Sequence, residues 1–150
     1  MSRDELHIQI SKLHEDAILP TQGSVEAAGW DLYALEQTEV RKNATVLIPT
    51  GLAIAIPVGW EGQLRCRSSL GKRGMMLPNG VGTIDSDYRG ELKVLASFIG
   101  DGDSITIEKG ERVAQLIFAR VPMVTWFEVE NEHLGGTTRG TGGFGSTGQF

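Results

Sequence analysis

One cysteine, Cys66, and three scattered histidines, His7, His14 and His133, are all that 150 residues provide of the softer metal ligands and reactive side chains. A single thiol excludes an internal disulfide and fits a reducing compartment, and so sparse a set argues against a zinc site built by the protein. Thiol catalysis would need a histidine base near Cys66, and no spacing in the chain pairs the two. Long apolar runs are also missing. No stretch reaches the roughly 20 residues needed to span a bilayer, and the opening MSRDELHIQISKL mixes charge with isolated apolar residues where a secretory signal would be continuous. The expectation is a cytoplasmic protein with no membrane partner. Positive charge is in deficit as well: 14 Lys and Arg face 19 Asp and Glu, a net charge of −5. That is the wrong sign for tracking a nucleic-acid backbone, so no nucleic-acid partner is expected.

What is abundant is glycine, 20 residues against five prolines, set between short apolar segments. VLIPTGLAIAI (46–56) reads as strand, turn, strand; PVGWEG (57–62) as a turn; QLRCR (63–67) alternates again. ELKVLASFI (91–99), SITIEKG (104–110), RVAQLIFARV (112–121) and VTWFEVE (124–130) are further strand candidates. Only SSLGKRG (68–74) suits a helical turn, with Ser68 or Ser69 as its cap. The pattern predicts one all-β domain, a sandwich or barrel of short strands. Composition shifts near Gly135, dividing residues 1–134, the packed body, from a glycine-rich arm, 135–150.

Several segments bring phosphate-binding chemistry together. RSSLG (67–71) offers a guanidinium, two hydroxyls and a possible helix start within five residues, and equally a cap beside a solvated arginine. AAGWDLYA (27–34) sets Asp31 beside small residues. In PNGVGTIDSDYRG (78–90), Asn79-Gly80 signals a hairpin or a turn, and a hairpin beside a ligand can present backbone N–H and C=O groups to the edge of a pyrimidine. Asp85 and Asp87 would share a face in a strand and diverge in a turn. Tyr88 reads as a core ring or a ligand contact. Gln115, inside the apolar run of KGERVAQLIF (109–118), must be hydrogen-bonded as a core amide or face a ligand. Glu111 and Arg112 read as exposed turn charges. The tail RGTGGFGSTG (139–148) is either a linker or a backbone able to approach an anion closely, since no Cβ stands in the way.

Taken in order, AAGWDL, RSSLG, NGVGTIDSDYRG, GERVAQLIF and RGTGGFGSTG resemble the five segments of the trimeric dUTPase family, over residues 27–148. The resemblance implies a jelly-roll-like β sandwich or barrel with one very short helix and a flexible C-terminal arm, assembled as a homotrimer with sites between subunits. It implies hydrolysis of dUTP to dUMP and pyrophosphate, which keeps uracil out of DNA and supplies dUMP for thymidylate synthesis. Mg²⁺ would be held by the triphosphate and waters, with no direct protein ligand.

Carried over by position, Asp85 would be the general base. Asn79, the backbone around Gly80 to Gly82, Thr83 and the strand near Lys93 would read uracil, and Tyr88 would exclude a 2′-hydroxyl. Arg67, Ser68, Ser69 and Gln115 would hold the α- and β-phosphates. Asp31 would anchor the metal waters or the arm. Arg139 would clamp the γ-phosphate, Phe144 would stack on uracil, and Gly142, Gly143, Gly145, Ser146 and Thr147 would close around the phosphates. Ser69 and Trp30 depart from residues common in the family, a difference that bears on the phosphate loop. A dCTP deaminase of shared fold and a nucleotide-responsive binding protein remain alternatives.

Overall fold

The computed structural model describes residues 3–150. Within them eleven strands follow one another: β1 (Gln9–Lys12), β2 (Trp30–Tyr33), β3 (Thr38–Arg41), β4 (Val46–Pro49), β5 (Leu52–Ala55), β6 (Trp60–Arg65), β7 (Met75–Met76), β8 (Gly82–Ile84), β9 (Lys93–Phe98), β10 (Ser104–Ile107) and β11 (Arg112–Arg120). One helix, α1 (Ser68–Lys72), interrupts them, and a 3-10 turn spans Asn131–His133. The all-β expectation holds, and the arrangement is jelly-roll-like.

Alternation explains most of these strands. In β5 Leu52 and Ile54 are buried while Ala53 and Ala55 are not, and in β9 Val94, Ala96 and Phe98 turn inward. The strands pair antiparallel into sheets ordered β2-β11-β6-β8 and β4-β9-β7, with two-stranded ribbons β1-β5 and β3-β10. Leu32, Leu64, Ile84, Val113 and Leu116 from the first sheet join Ile48, Met75, Val94 and Phe98 from the second in one hydrophobic core. Thr50, the buried polar side chain of this core, donates its hydroxyl to the Leu92 carbonyl at 2.6 Å.

The chain after α1 turns through Gly74, whose φ is +96°. A Cβ there would stand 2.3 Å from Gly100 Cα, so the helix can return into β7 only through glycine.

Three local expectations change. Neither Ser68 nor Ser69 caps α1: the cap position is Arg67 and no side chain bonds the free amides, because both serines already lie inside the first turn. VTWFEVE forms no strand within this chain, and the packed strands end at Arg120 rather than near residue 134. Met123, Trp126 and Phe127 lie exposed along this segment. β6 also begins earlier than expected, at Trp60, inside the Pro57–Gly62 turn segment.

Candidate active site

The centre of β2, β11 and the end of β6 gather one set of the expected residues. Gln115 of β11 faces Asp31 of β2 on one side and Arg65 of β6 on the other. From this frame the chain leaves β6 and reaches Arg67. Its Nε donates to Asp31 Oδ1 at 3.1 Å, with the two side chains only 23% and 15% exposed. Arg112 Nη1 stands 3.6 Å from Asp31 Oδ2, so one carboxylate holds two guanidinium groups. Arg67 Nη1 also reaches Ser69 Oγ at 3.4 Å and the Arg112 carbonyl at 3.5 Å. Paired guanidiniums repel one another, and a carboxylate between them makes their proximity affordable while leaving net positive charge facing outward. The hydroxyl-bearing Ser68 and Ser69 are exposed beside it.

Gln115 Nε2 donates to the Cys66 carbonyl at 3.2 Å. A Cβ on Gly29 would come within 2.7 Å of Gln115 Oε1, so the small residue before Trp30 gives the amide its space. Cys66 is packed against this frame, with burial pushing its thiol pKa up despite an opposing backbone hydrogen bond from Gly71. That is the environment of an inert thiol.

A second set lies on β8 and the turns that flank it. Gly80 N–H closes the Asn79 turn onto the Leu77 carbonyl at 2.9 Å, and β8 pairs with β6 through Thr83 and Gln63. Beyond Ile84 the strand ends and Tyr88 N–H bonds the Asp85 carbonyl at 3.1 Å. Asp85 and Asp87 therefore belong to a turn and not to one strand face. Asp85 is exposed, and Tyr88 presents its ring with 44% of the residue accessible. Lys93 opens β9 and pairs with Glu91 at 3.7 Å. Among the described residues no side-chain hydrogen bond or ion pair joins this second set to the Asp31 cluster.

The arm residues form a third group. Arg139 Nε bonds the Gly142 carbonyl at 2.9 Å, and Gly142, Gly143, Ser146 and Thr147 follow in successive turns. Phe144 is fully exposed at φ +50°, a left-handed conformation uncommon for an aromatic residue. Among the described residues, no hydrogen bond ties residues 122–150 to the strands; the last one is Val121 N–H to the Gly59 carbonyl at 2.9 Å. A single chain thus groups Asp31, Arg67, Ser69 and Gln115, joins Tyr88 to Asp85, holds Asn79 in the turn before β8, and leaves Arg139 and Phe144 apart.

The model of the dUTPase family matches residues 15–148. The chain belongs to the dUTPase family. A deoxyuridine 5′-triphosphate nucleotidohydrolase of Wolinella succinogenes is 43% identical over 146 residues, covering 97% of this chain and 96% of that protein. One from Syntrophotalea carbinolica is 46% identical over 144 residues, covering 94% and 96%. Among solved structures, the Staphylococcus bacteriophage 80alpha dUTPase with dUPNHPP superposes with a TM-score of 0.83 at 25% identity, covering 95% of this chain and 99% of that one.

Arg112 was not read as a site residue from sequence, where it looked like a turn charge; it begins β11 and binds Asp31. Glu111 likewise is engaged, accepting from Arg73 at 3.0 Å and from the Glu108 amide at 2.9 Å. The only signal for either was proximity to Gln115 along the strand. An apolar groove of about 710 Å³ lined by Ile10, Leu19, Trp30, Trp60 and Phe118 contains none of the expected site residues. A polyanion is better served by the Asp31 cluster, where two guanidiniums share one carboxylate, than by the groove, whose charged lining is Arg3 with the acidic Asp4 and Glu26.

Proposed function

We propose that this dUTPase family member hydrolyses dUTP to dUMP and pyrophosphate, with Asp85 as general base. The observation that carries the reading is the paired Arg67 and Arg112 on Asp31, a built receptor for an anion on a chain of net charge −5. Arg67, Ser68, Ser69 and Gln115 bind the α- and β-phosphates, while Asn79, the Gly82 and Thr83 backbone and the start of β9 at Lys93 read uracil. Tyr88 covers the deoxyribose. Asp85 takes a proton from water as its oxygen attacks the α-phosphorus in line, and the bond from that phosphorus to the bridging oxygen breaks to release pyrophosphate.

Among the described residues no three His, Cys, Asp or Glu side chains stand together as a metal cage, and both Asp31 oxygens face guanidinium groups. This donor set fits Mg²⁺ arriving on the triphosphate with its own waters, where it offsets the charge of the leaving pyrophosphate. Arg139 then meets the γ-phosphate, Phe144 stacks on uracil, and Gly142, Gly143, Gly145, Ser146 and Thr147 bring amides and hydroxyls to the phosphates, closing the site against water.

The active unit we propose is a homotrimer. Three observations support it: the phosphate and nucleoside groups are not bonded within one chain, the arm meets neither, and Met123, Trp126 and Phe127 are exposed on a strand-like segment without a partner. A free thiol and the lack of any helix long and apolar enough to cross a membrane, among the described residues, support a cytoplasmic setting.

Pyrophosphate release from dUTP, dTTP, dCTP and UTP with Mg²⁺ tests the reading. The expected result is turnover of dUTP about a hundredfold or more above each of the others. Ammonia from dCTP would replace hydrolysis with deamination, and binding of dUTP without pyrophosphate release would make the site a receptor.

A further inference from the structure

Tyr88 is held at both ends. Its amide bonds the Asp85 carbonyl at 3.1 Å, and Arg89 Nη1 donates to the Tyr88 carbonyl at 3.0 Å and to that of Ser86 at 2.7 Å. Its hydroxyl donates to the Glu91 carbonyl at 2.9 Å. That carbonyl shares a peptide plane with the Leu92 amide, which bonds the Leu52 carbonyl at 2.7 Å, and Leu92 is completely buried. The acceptor is therefore fixed to the core.

Between these anchors the ring sits on Gly90. A Cβ at position 90 would stand 2.4 Å from Tyr88 Oη, 2.6 Å from Cζ and 3.0 Å from Cε2. Gly90 is not among the residues of positive φ, so an alanine there avoids left-handed strain, and the three atoms nearest its Cβ all belong to Tyr88.

We propose that Gly90 is the positioning residue for sugar selection: by leaving room beneath Tyr88, it lets the hydroxyl lock onto Glu91 and makes the ring an unyielding wall against a 2′-hydroxyl. The inference rests on the dUTP reading of the site. A clash rejects a ligand that differs by one oxygen only if the wall cannot move aside. A ring lifted off its seat retains its area and loses its rigidity, so a ribonucleotide gains entry while the deoxyribonucleotide still binds.

Steady-state kinetics on dUTP and UTP test this with the full-length protein, Gly90→Ala and Tyr88→Phe. Gly90→Ala should lower the ratio of kcat/KM for dUTP over UTP by about tenfold or more, chiefly through a lower KM for UTP. Tyr88→Phe keeps the ring on Gly90 and removes only its hydrogen bond, so its ratio should fall by about threefold. If both substrates lose activity equally in Gly90→Ala, the residue serves only the fold of the loop between β8 and β9 and the proposal is wrong. Should Gly90→Ala fail to fold, an unchanged ratio in Tyr88→Phe overturns the locked wall. A parent protein that releases no pyrophosphate from dUTP removes the reading of the whole site, a different failure from an unaltered ratio in an active enzyme.

Discussion

Asp85 stands exposed at the end of β8, where the strand gives way to a turn. A carboxylate acts as general base through placement within hydrogen-bond reach of a water, and removing such a group typically lowers rate by about a hundredfold to ten-thousandfold. Asp85→Asn should lower kcat by that order while dUTP affinity, measured by titration calorimetry, changes only severalfold; near-normal turnover would exclude Asp85 as the base. At this scale the chain was readable where chemistry is written in residue type. Asp31, Arg67 and Gln115 carry charge or amide groups into strand segments, and the structure brings them together. Arg112 was not legible because a charge after a turn is usually solvated; only pairing β11 against β2 sets it on Asp31. The choice between Asp85 and Asp87 sharing a face or diverging also waited on where β8 stops.

Strands with strong alternation were legible as elements. β5 and β9 send every second residue into the core, and the burial that stabilises them is the same pattern that reveals them; β11 breaks the alternation, with Val113 and Ala114 both buried beside a register shift against β2. β1 was not legible, because all four of its residues are exposed and its pairing with β5 leaves no apolar period. The opposite case is residues 124–130, whose alternation is strand-like although no strand of this chain pairs with them. A strand needs hydrogen-bonding neighbours as well as propensity, and these must come from elsewhere. The arm beyond it has no hydrogen bond to the strands and carries glycines, Arg139 and Phe144. Deleting residues 139–150 should therefore lower kcat/KM for dUTP by about a hundredfold or more and leave the thermal midpoint nearly unchanged, read by calorimetry. Full activity in the truncated protein would make the arm a linker.

For the whole molecule, charge and composition excluded more than they identified: a deficit of Lys and Arg spoke against a polymer of phosphates, and Arg67 and Arg112 gathered on Asp31 are the proposed receptor for a small one. The proposed homotrimer rests on what one chain leaves unfinished. The Asp31 cluster, the Asp85 turn and the arm are separate here, and Met123, Trp126 and Phe127 are large apolar side chains left exposed in one short segment. Light scattering should give about three times the 16.2 kDa chain mass, and a fully active monomer would rule out sites shared between subunits. The central claim concerns which phosphorus water attacks. Hydrolysis of dUTP in ¹⁸O-enriched water, followed by mass spectrometry of both products, should place the label in dUMP and leave pyrophosphate unlabelled. Label in pyrophosphate would contradict attack at the α-phosphorus and the role given to Asp85.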